Sequence, residues 1–264
     1  MGSLETNELG LDIKTETYTP TVGGADRIST GIEKLDNLLH GGYPKHRIVL
    51  VSGTPGSGKT IVCFHYLSAA INNGEKCLYL STDEHVESLI SEAKEFGFDF
   101  QPAIENQQAK FIFLNTDSNS IHQQIEEEVA QGGYDRVILD SLSPLADKPI
   151  WMVNNGNEVV PQESAMTSTT IPLDSIQATR LHLRKIISIF KNHQMSTLLT
   201  SEIPEGSKNL TRDSVTEFLA DGIILLDMDP SMDRRKLMIR KMRKTKHTLK
   251  PQNVMITEQG LVLQ

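Results

Sequence analysis

Eight consecutive residues have the types and the spacing of a phosphate-binding loop. The run Gly53-Thr54-Pro55-Gly56-Ser57-Gly58-Lys59-Thr60 fits the pattern G-x-x-x-x-G-K-[ST] at every position, between an apolar run and a helical one. The glycines let the backbone curl so that successive N–H groups point at phosphate oxygens. Lys59 can reach the β- and γ-phosphates of ATP, and the Thr60 hydroxyl can bind Mg²⁺. The sequence therefore predicts a site for ATP and Mg²⁺ formed by residues 53–60 and Ile61.

A phosphate-binding loop of this kind needs a carboxylate on its metal side, at the end of a neighbouring strand. Asp140 ends the apolar run Arg136-Val137-Ile138-Leu139, which is typical of a buried strand. The alternative is that Asp140 is a turn residue at the end of that strand. We expect Asp140 to support the metal.

A hydrolytic site also needs a carboxylate that orients or deprotonates the attacking water. Asp83 and Glu84 follow a strand-like run at 77–81, and the carboxyl ends of parallel strands lie at one edge of a sheet. Either acid can take this role, so both are candidate catalytic residues together with Lys59. The alternative is that they cap the helix that follows.

The elements around these residues alternate between strand-like and helical patterns. Apolar strand patterns occur at 47–52, 77–81, 111–114, 136–140, 196–200 and 222–227. Helical patterns lie between them, including 58–73, 86–96 and a stripe of Leu183, Ile186, Ile187 and Phe190. This alternation predicts an α/β fold with a mainly parallel twisted sheet flanked by helices. After Asp227, short strands near 236–243, 253–256 and 261–263 predict an antiparallel C-terminal extension.

The domain organisation follows from length and composition. The chain has 264 residues, with 38% hydrophobic and 23% charged residues, which is the balance of a soluble globular protein. Residues 1–26 contain five acids and one lysine and predict a flexible acidic arm. Residues 27–264 predict one ATPase domain. Within it, 147–178 is rich in Asn, Ser, Thr and Pro and predicts an irregular, mobile insertion.

Other features of the sequence exclude some classes of protein. No stretch has the roughly 20 apolar residues of a membrane span and no signal peptide is recognisable, so we expect a cytoplasmic protein. Cys63 and Cys77 predict reduced core residues rather than a disulfide framework. His182 and His193 lack partners at metal-ligand spacing, and we expect no metal there. Trp151 either packs the insertion against the core or marks a partner contact.

A basic segment stands out against the net charge of −8. Nine lysines and arginines and no acid lie between residues 234 and 250. Such a segment favours an anionic partner, either phosphates or an acidic protein face. The alternative is a solvated edge strand whose lysines discourage aggregation.

With these motifs in hand, the chain resembles a single-domain KaiC-like ATPase of the RecA superfamily over residues 27–263, apart from 147–178. The segments Arg27-Ile28-Ser29-Thr30-Gly31-Ile32-Glu33-Lys34-Leu35-Asp36 and His40-Gly41-Gly42-Tyr43-Pro44 resemble the lead-in to the family's phosphate-binding loop. Thr200-Ser201-Glu202 resembles a strand end beside the nucleotide. Asp83-Glu84 falls where the family has a catalytic Glu-Glu pair, with Asp in place of the first Glu.

The resemblance also implies a homo-oligomer. Lys241-Met242-Arg243-Lys244-Thr245-Lys246-His247 is similar to a segment, Lys-x-Arg-Gly-Thr-x-His, that reaches the ATP of the neighbouring subunit in ring hexamers, with Lys244 replacing the glycine. It implies that Lys241, Arg243 and His247 contact a neighbour's nucleotide and that Arg243 is catalytic there. Strand alternation further predicts that the side chains of Lys241 and Arg243 project from the same face of the strand as those of Leu237 and Ile239.

Autokinase activity, which occurs in the family, is not supported at the corresponding positions. The family's phosphoacceptor pair falls at Glu217 and Phe218, neither of which can be phosphorylated. The cluster Ser164–Thr170 can accept phosphate in principle, but a flexible polar loop is the simpler interpretation.

Together these observations predict a Mg²⁺-dependent ATPase that hydrolyses ATP slowly and acts as a ring-forming switch. One alternative is a DNA-binding recombination accessory ATPase that uses the basic segment and residues 147–178. That stretch has four acids and one lysine, which disfavours contact with phosphates. The other alternative is an ATP-binding scaffold without turnover. No membrane contact is expected.

Overall fold

A computed structural model describes residues 26–116, 118, 121–147, 150–152, 159–161, 175–204, 206–207 and 209–264. The acidic arm predicted at 1–26, except Asp26, lies outside the described residues. The Ser164–Thr170 cluster lies outside them as well.

The strands of the described residues form one nine-stranded sheet and two two-stranded sheets. In chain order they are β1 (Arg27–Ile28), β2 (Tyr43–Pro44), β3 (Ile48–Gly53), β4 (Cys77–Ser81), β5 (Ala109–Phe113), β6 (Arg136–Asp140), β7 (Ile150–Met152), β8 (Val159–Pro161), β9 (Ser196–Glu202), β10 (Gly222–Asp229), β11 (Arg234–Met242), β12 (Gln252–Thr257) and β13 (Gly260–Leu263). The large sheet has the order β13-β12-β11-β10-β3-β9-β6-β4-β5. Neighbouring strands pair in parallel from β10 to β5 in this order, that is, among β10, β3, β9, β6, β4 and β5. On the other side of β10, the strands β11, β12 and β13 pair antiparallel.

Helices cover both faces of this sheet. In chain order they are α1 (Glu33–Leu38), α2 (Lys59–Asn72), α3 (Val86–Glu95), α4 (Gln101–Glu105), α5 (Ile121–Gly132), α6 (Ser143–Asp147), α7 (Ser175–Asn192) and α8 (Thr216–Leu219). The side chains of β3 alternate between the two cores. Val49 and Val51 pack in the core that contains α1, α2 and α3, whereas Ile48 and Leu50 pack in the core that contains α5, α6 and α7. A central strand buried on both faces reads as a continuous apolar run, as the sequence had indicated.

The predicted fold class is confirmed, including the antiparallel extension. The stripe of Leu183, Ile186, Ile187 and Phe190 is buried on α7. The prediction that residues 147–178 are irregular throughout is wrong in part, because β7 pairs with β8 and α7 begins at Ser175. Cys63 and Cys77 are free and buried, as expected for core residues.

The face predicted for Lys241 and Arg243 is wrong because β11 contains a bulge. Ile224 pairs with Ile239 and Ile223 pairs with Lys241, so Arg240 is an extra residue in β11. The extra residue reverses the alternation of side chains. Met242, rather than Lys241, joins Leu237 and Ile239 in the core. Arg243 follows the end of the strand.

Candidate functional site

The phosphate-binding loop connects β3 to α2 at the carboxyl edge of the parallel sheet. Gly56 and Gly58 have φ angles of 74° and 99°, a conformation that favours glycine and lets the loop turn into the first residue of α2. The Lys59 ammonium donates hydrogen bonds of 3.1 Å to the carbonyl oxygens of Gly53 and Thr54. The lysine therefore lies across its own loop, where it can reach phosphates held by the backbone.

Two hydroxyls of the loop have no hydrogen-bond partner among the described residues. They are the buried Oγ of Ser57 and the buried Oγ1 of Thr54. A buried hydroxyl without a partner costs free energy of about 1–3 kcal/mol. Phosphate oxygens are suitable partners, so these hydroxyls fit a loop that binds an anion. The side chain of Ile61 is buried in the core, so only its backbone is available to such a ligand.

Asp140 is held at the end of β6 by three hydroxyl groups. Its Oδ2 atom accepts hydrogen bonds from Thr60 Oγ1 at 3.0 Å and from the Tyr79 hydroxyl at 2.7 Å. Its Oδ1 atom accepts one from Thr200 Oγ1. The structure thus brings Thr60 and Asp140 together as the sequence predicted, and it adds Tyr79 and Thr200 to their surroundings.

The residues present fit a Mg²⁺ ion. A threonine hydroxyl next to a carboxylate is the donor set that Mg²⁺ uses beside nucleotide phosphates, with water completing its shell. Within the described part of the chain, no group of three or more His, Cys, Asp or Glu side chains could hold a metal ion. The ion would therefore need oxygen ligands from the nucleotide and from water in addition to Thr60 and Asp140.

Asp83 and Glu84 occupy different surroundings after β4. Asp83 Oδ2 accepts a 2.7 Å hydrogen bond from the Ser141 hydroxyl, directly after Asp140. Burial raises the pKa of Asp83 above its ordinary value, and the Ser141 hydrogen bond opposes this shift. The Glu84 carboxylate accepts a 3.4 Å hydrogen bond from the Ser88 hydroxyl on α3. Asp83 is thus tied to the residues around Asp140, whereas Glu84 lies towards α3.

The charges of the site converge on Lys59. Burial lowers the pKa of Lys59, while the negative charges of Glu202, Asp140 and Asp83 raise it. Glu202 ends β9, next to β3 in the sheet. Three carboxylates at or near three strand ends therefore favour the charged form of one ammonium group.

Lys241 and Arg243 are not at this edge of the sheet. The Arg243 guanidinium contacts Asp221 Oδ1 at 3.2 Å, and the Asp221 amide donates to Ile48 O at the start of β3. The phosphate-binding loop is at the other end of β3, about 17 Å away for a strand of this length. Lys241 Nζ donates to Ala220 O at 2.7 Å, and His247 Nδ1 lies 3.2 Å from Thr248 O. Lys241 and Arg243 therefore cannot contact a nucleotide in their own chain's loop without a large movement.

Two cations of the basic segment lie opposite acids on the neighbouring strand β10. Lys236 pairs across the strands with Asp227, and Arg234 pairs with Asp229. Acids directly opposite these cations reduce the potential that would attract a nucleic acid. None of the described helices meets the length and hydropathy of a membrane-crossing segment.

Tyr79 and Ser141 are site residues that sequence reasoning missed. Tyr79 lies in an apolar run and Ser141 directly follows a strand end, so neither type nor spacing marks them. The signal that finds them is the pairing register, in which Tyr79 lies opposite Ile138 and Ser81 lies opposite Asp140.

Comparisons with known proteins find similar chains over most of this sequence. A family model described as KaiC, an ATPase, matches residues 28–153 and 166–264. A UPF0273 protein of Methanocaldococcus jannaschii is 27% identical over 245 residues, which cover 90% of this chain and 96% of the relative. The circadian clock oscillator protein KaiC 1 of Synechocystis is 27% identical over 96% of this chain, which spans only 47% of that relative's length. The crystal structure of a KaiC-like protein from Pyrococcus horikoshii superposes with a TM-score of 0.73 at 26% identity, covering 91% of this chain and 99% of that one.

Proposed function

Because this chain belongs to the KaiC family of ATPases, we propose that it binds ATP with Mg²⁺, hydrolyses it slowly and uses the hydrolysis as a switch in a ring of identical subunits. The observation that carries the proposal is the convergence of Lys59, Thr60, Asp83 and Asp140 at one sheet edge. Each of these residues has a role that phosphoryl transfer to water requires.

Each of these residues has a separate role in binding and hydrolysing ATP. The loop amides and Lys59 bind the β- and γ-phosphates and stabilise the charge that develops on them. Thr60 and Asp140 would hold Mg²⁺, which would neutralise phosphate charge. Asp83 orients the attacking water and accepts its proton, because its carboxylate is tied to Ser141 beside Asp140 while Glu84 lies towards α3. Asp83 is thus our choice between the two acids that the sequence left open.

Assembly into a ring supplies the residues that the site of a single chain lacks. Lys241 and Arg243 lie at the end of the sheet away from the loop, which supports their contact with the nucleotide of a neighbouring subunit. His247 follows them in the chain and is proposed to contact the same nucleotide. An arginine delivered there stabilises charge on the γ-phosphate. Closed assembly of identical subunits through two different surfaces produces rings.

Two measurements test the proposal together. Single-turnover hydrolysis of labelled ATP should require Mg²⁺ and be lost in EDTA. Light-scattering mass should rise from that of one 29.4 kDa chain to that of a ring when Mg²⁺ and ATP are added. ATP binding without any turnover would favour a scaffold, and turnover without a change of mass would remove the ring from the proposal.

A further inference from the structure

Tyr79 contacts the candidate metal site from inside the core. It lies on β4, which is next to β6 in the sheet, the strand that ends at Asp140. The Tyr79 ring stacks on Phe111, with 5.2 Å between the ring centres. The side chain is fully buried, yet its hydroxyl reaches Asp140 Oδ2 at 2.7 Å. An ionised carboxylate can only accept hydrogen bonds, so the Tyr79 hydroxyl is the donor in this contact.

The consequence of this bond lies in the lone pairs of Asp140. An ionised carboxylate has about four lone-pair sites, two on each oxygen. Oδ2 uses both of its sites, one for Thr60 and one for Tyr79. Oδ1 uses one site for Thr200 and keeps one. The carboxylate can therefore face a cation, or a water bound to one, through Oδ1 alone.

A carboxylate limited to one oxygen discriminates between divalent cations. Mg²⁺ keeps several waters and needs few carboxylate contacts, whereas Ca²⁺ takes six to eight oxygens and commonly binds a carboxylate through both oxygens. We propose that Tyr79 is a positioning residue that restricts Asp140 to contact with the cation through one oxygen. This restriction makes the site prefer Mg²⁺ over Ca²⁺, an inference that rests on the proposed function. Tyr79 acts only through Asp140 and touches neither the nucleotide nor the metal.

The two hydroxyls on opposite oxygens of Asp140 provide a matched pair of variants. Tyr79→Phe frees a site on Oδ2, so that both oxygens can reach one cation. Thr200→Val frees a second site on Oδ1 but leaves Oδ2 fully used, so contact through both oxygens stays blocked. Tyr43→Phe serves as a second control, since it removes another buried tyrosine hydroxyl, one without a partner among the described residues.

The experiment measures binding of a fluorescent ATP analogue to the full chain during titration with MgCl₂ or CaCl₂. The quantity compared is the ratio of the half-saturating Ca²⁺ concentration to the half-saturating Mg²⁺ concentration. Tyr79→Phe should lower this ratio roughly tenfold, the effect of one hydrogen bond to a charged group. Thr200→Val and Tyr43→Phe should leave the ratio within about twofold of the unmodified chain, since neither frees Oδ2.

Three results would overturn the assignment of Tyr79. One is an unchanged ratio in Tyr79→Phe, and another is an equal fall of the ratio in Thr200→Val. If Tyr79→Phe does not fold, Tyr79→Met removes the same hydroxyl and must lower the ratio, or the assignment is wrong. If nucleotide binding depends on the metal but Tyr79→Phe has the same ratio of half-saturating Ca²⁺ to Mg²⁺ concentrations as the unmodified chain, only the role of Tyr79 is rejected. An unmodified chain without any metal-dependent nucleotide binding rejects the proposed function and, with it, this inference.

Discussion

The Ser141 hydroxyl donates a 2.7 Å hydrogen bond to Asp83, joining the residue after the metal-supporting aspartate to the candidate catalytic base. The bond links the ends of two neighbouring strands, β6 and β4. It orients the Asp83 carboxylate beside Asp140, whereas the Glu84 carboxylate accepts a longer bond of 3.4 Å from the Ser88 hydroxyl on α3. This difference ranks the two acids in a way that the sequence could not.

The first prediction is that Asp83, rather than Glu84, is the catalytic base. Asp83→Asn should retain ATP binding and lower single-turnover hydrolysis by roughly a hundredfold or more, because general-base catalysis contributes about 10²–10⁴. Glu84→Gln should lower hydrolysis much less. The measurement is single-turnover hydrolysis beside equilibrium ATP binding for both variants. The reverse order of the two variants would transfer the role of base to Glu84.

The second prediction concerns pH. A base must be ionised, so hydrolysis should fall as the pH drops through the pKa of Asp83, which burial raises. Ser141 opposes that rise, so Ser141→Ala should move the acid limb of the rate profile to higher pH by roughly half to one unit. Ser88→Ala is the matched control, because its hydroxyl contacts Glu84 instead. An acid limb that moves equally in both variants, or in neither, contradicts the assignment.

The third prediction concerns stability. Burial lowers the pKa of His65 to about 4, and the Leu261 amide donates a 2.8 Å hydrogen bond to its Nε2, which requires the neutral ring. The unfolded chain binds this proton near pH 6.5, so the folded state should lose up to about 3 kcal/mol as the pH falls from about 6.5 to about 4. Urea unfolding across that range measures the loss. His65→Gln should flatten the slope, whereas the exposed His193→Gln should leave it unchanged.

The fourth prediction tests contact between subunits. Arg243→Ala should leave ATP binding largely intact and lower turnover, because the guanidinium acts on a neighbour's nucleotide. Lys59→Ala subunits have a defective loop but an intact Arg243. Mixing the two variants should therefore raise the activity above that of either variant alone, since intact loops then face intact arginines. Mixed rings that form, as shown by mass, but show no such gain would reject the action of Arg243 in a neighbouring subunit.

The sequence predicted the features that depend on local spacing. The loop at residues 53–60, the strand that ends at Asp140 and the buried stripe of α7 are local patterns of fixed period, and the structure has each of them. The fold class followed because alternating strands and helices have few arrangements.

The features that the sequence could not predict depend on register between distant strands. Tyr79 reaches Asp140 because β4 and β6 pair with Tyr79 opposite Ile138. The bulge at Arg240 reversed the faces of Lys241 and Met242, and no residue type in that basic run marks it. The strands β1 and β2 have two residues each, too few for a periodic pattern.

The most direct test of the account is ATP binding and hydrolysis by Lys59→Ala beside Lys45→Ala, which removes an exposed lysine away from the loop. The account predicts that Lys59→Ala folds normally but loses Mg²⁺-dependent ATP binding or turnover by roughly a hundredfold or more, since Lys59 holds the β- and γ-phosphates. Lys45→Ala should behave as the unmodified chain. A folded Lys59→Ala protein that binds and hydrolyses ATP at the rate of the unmodified chain would contradict the account.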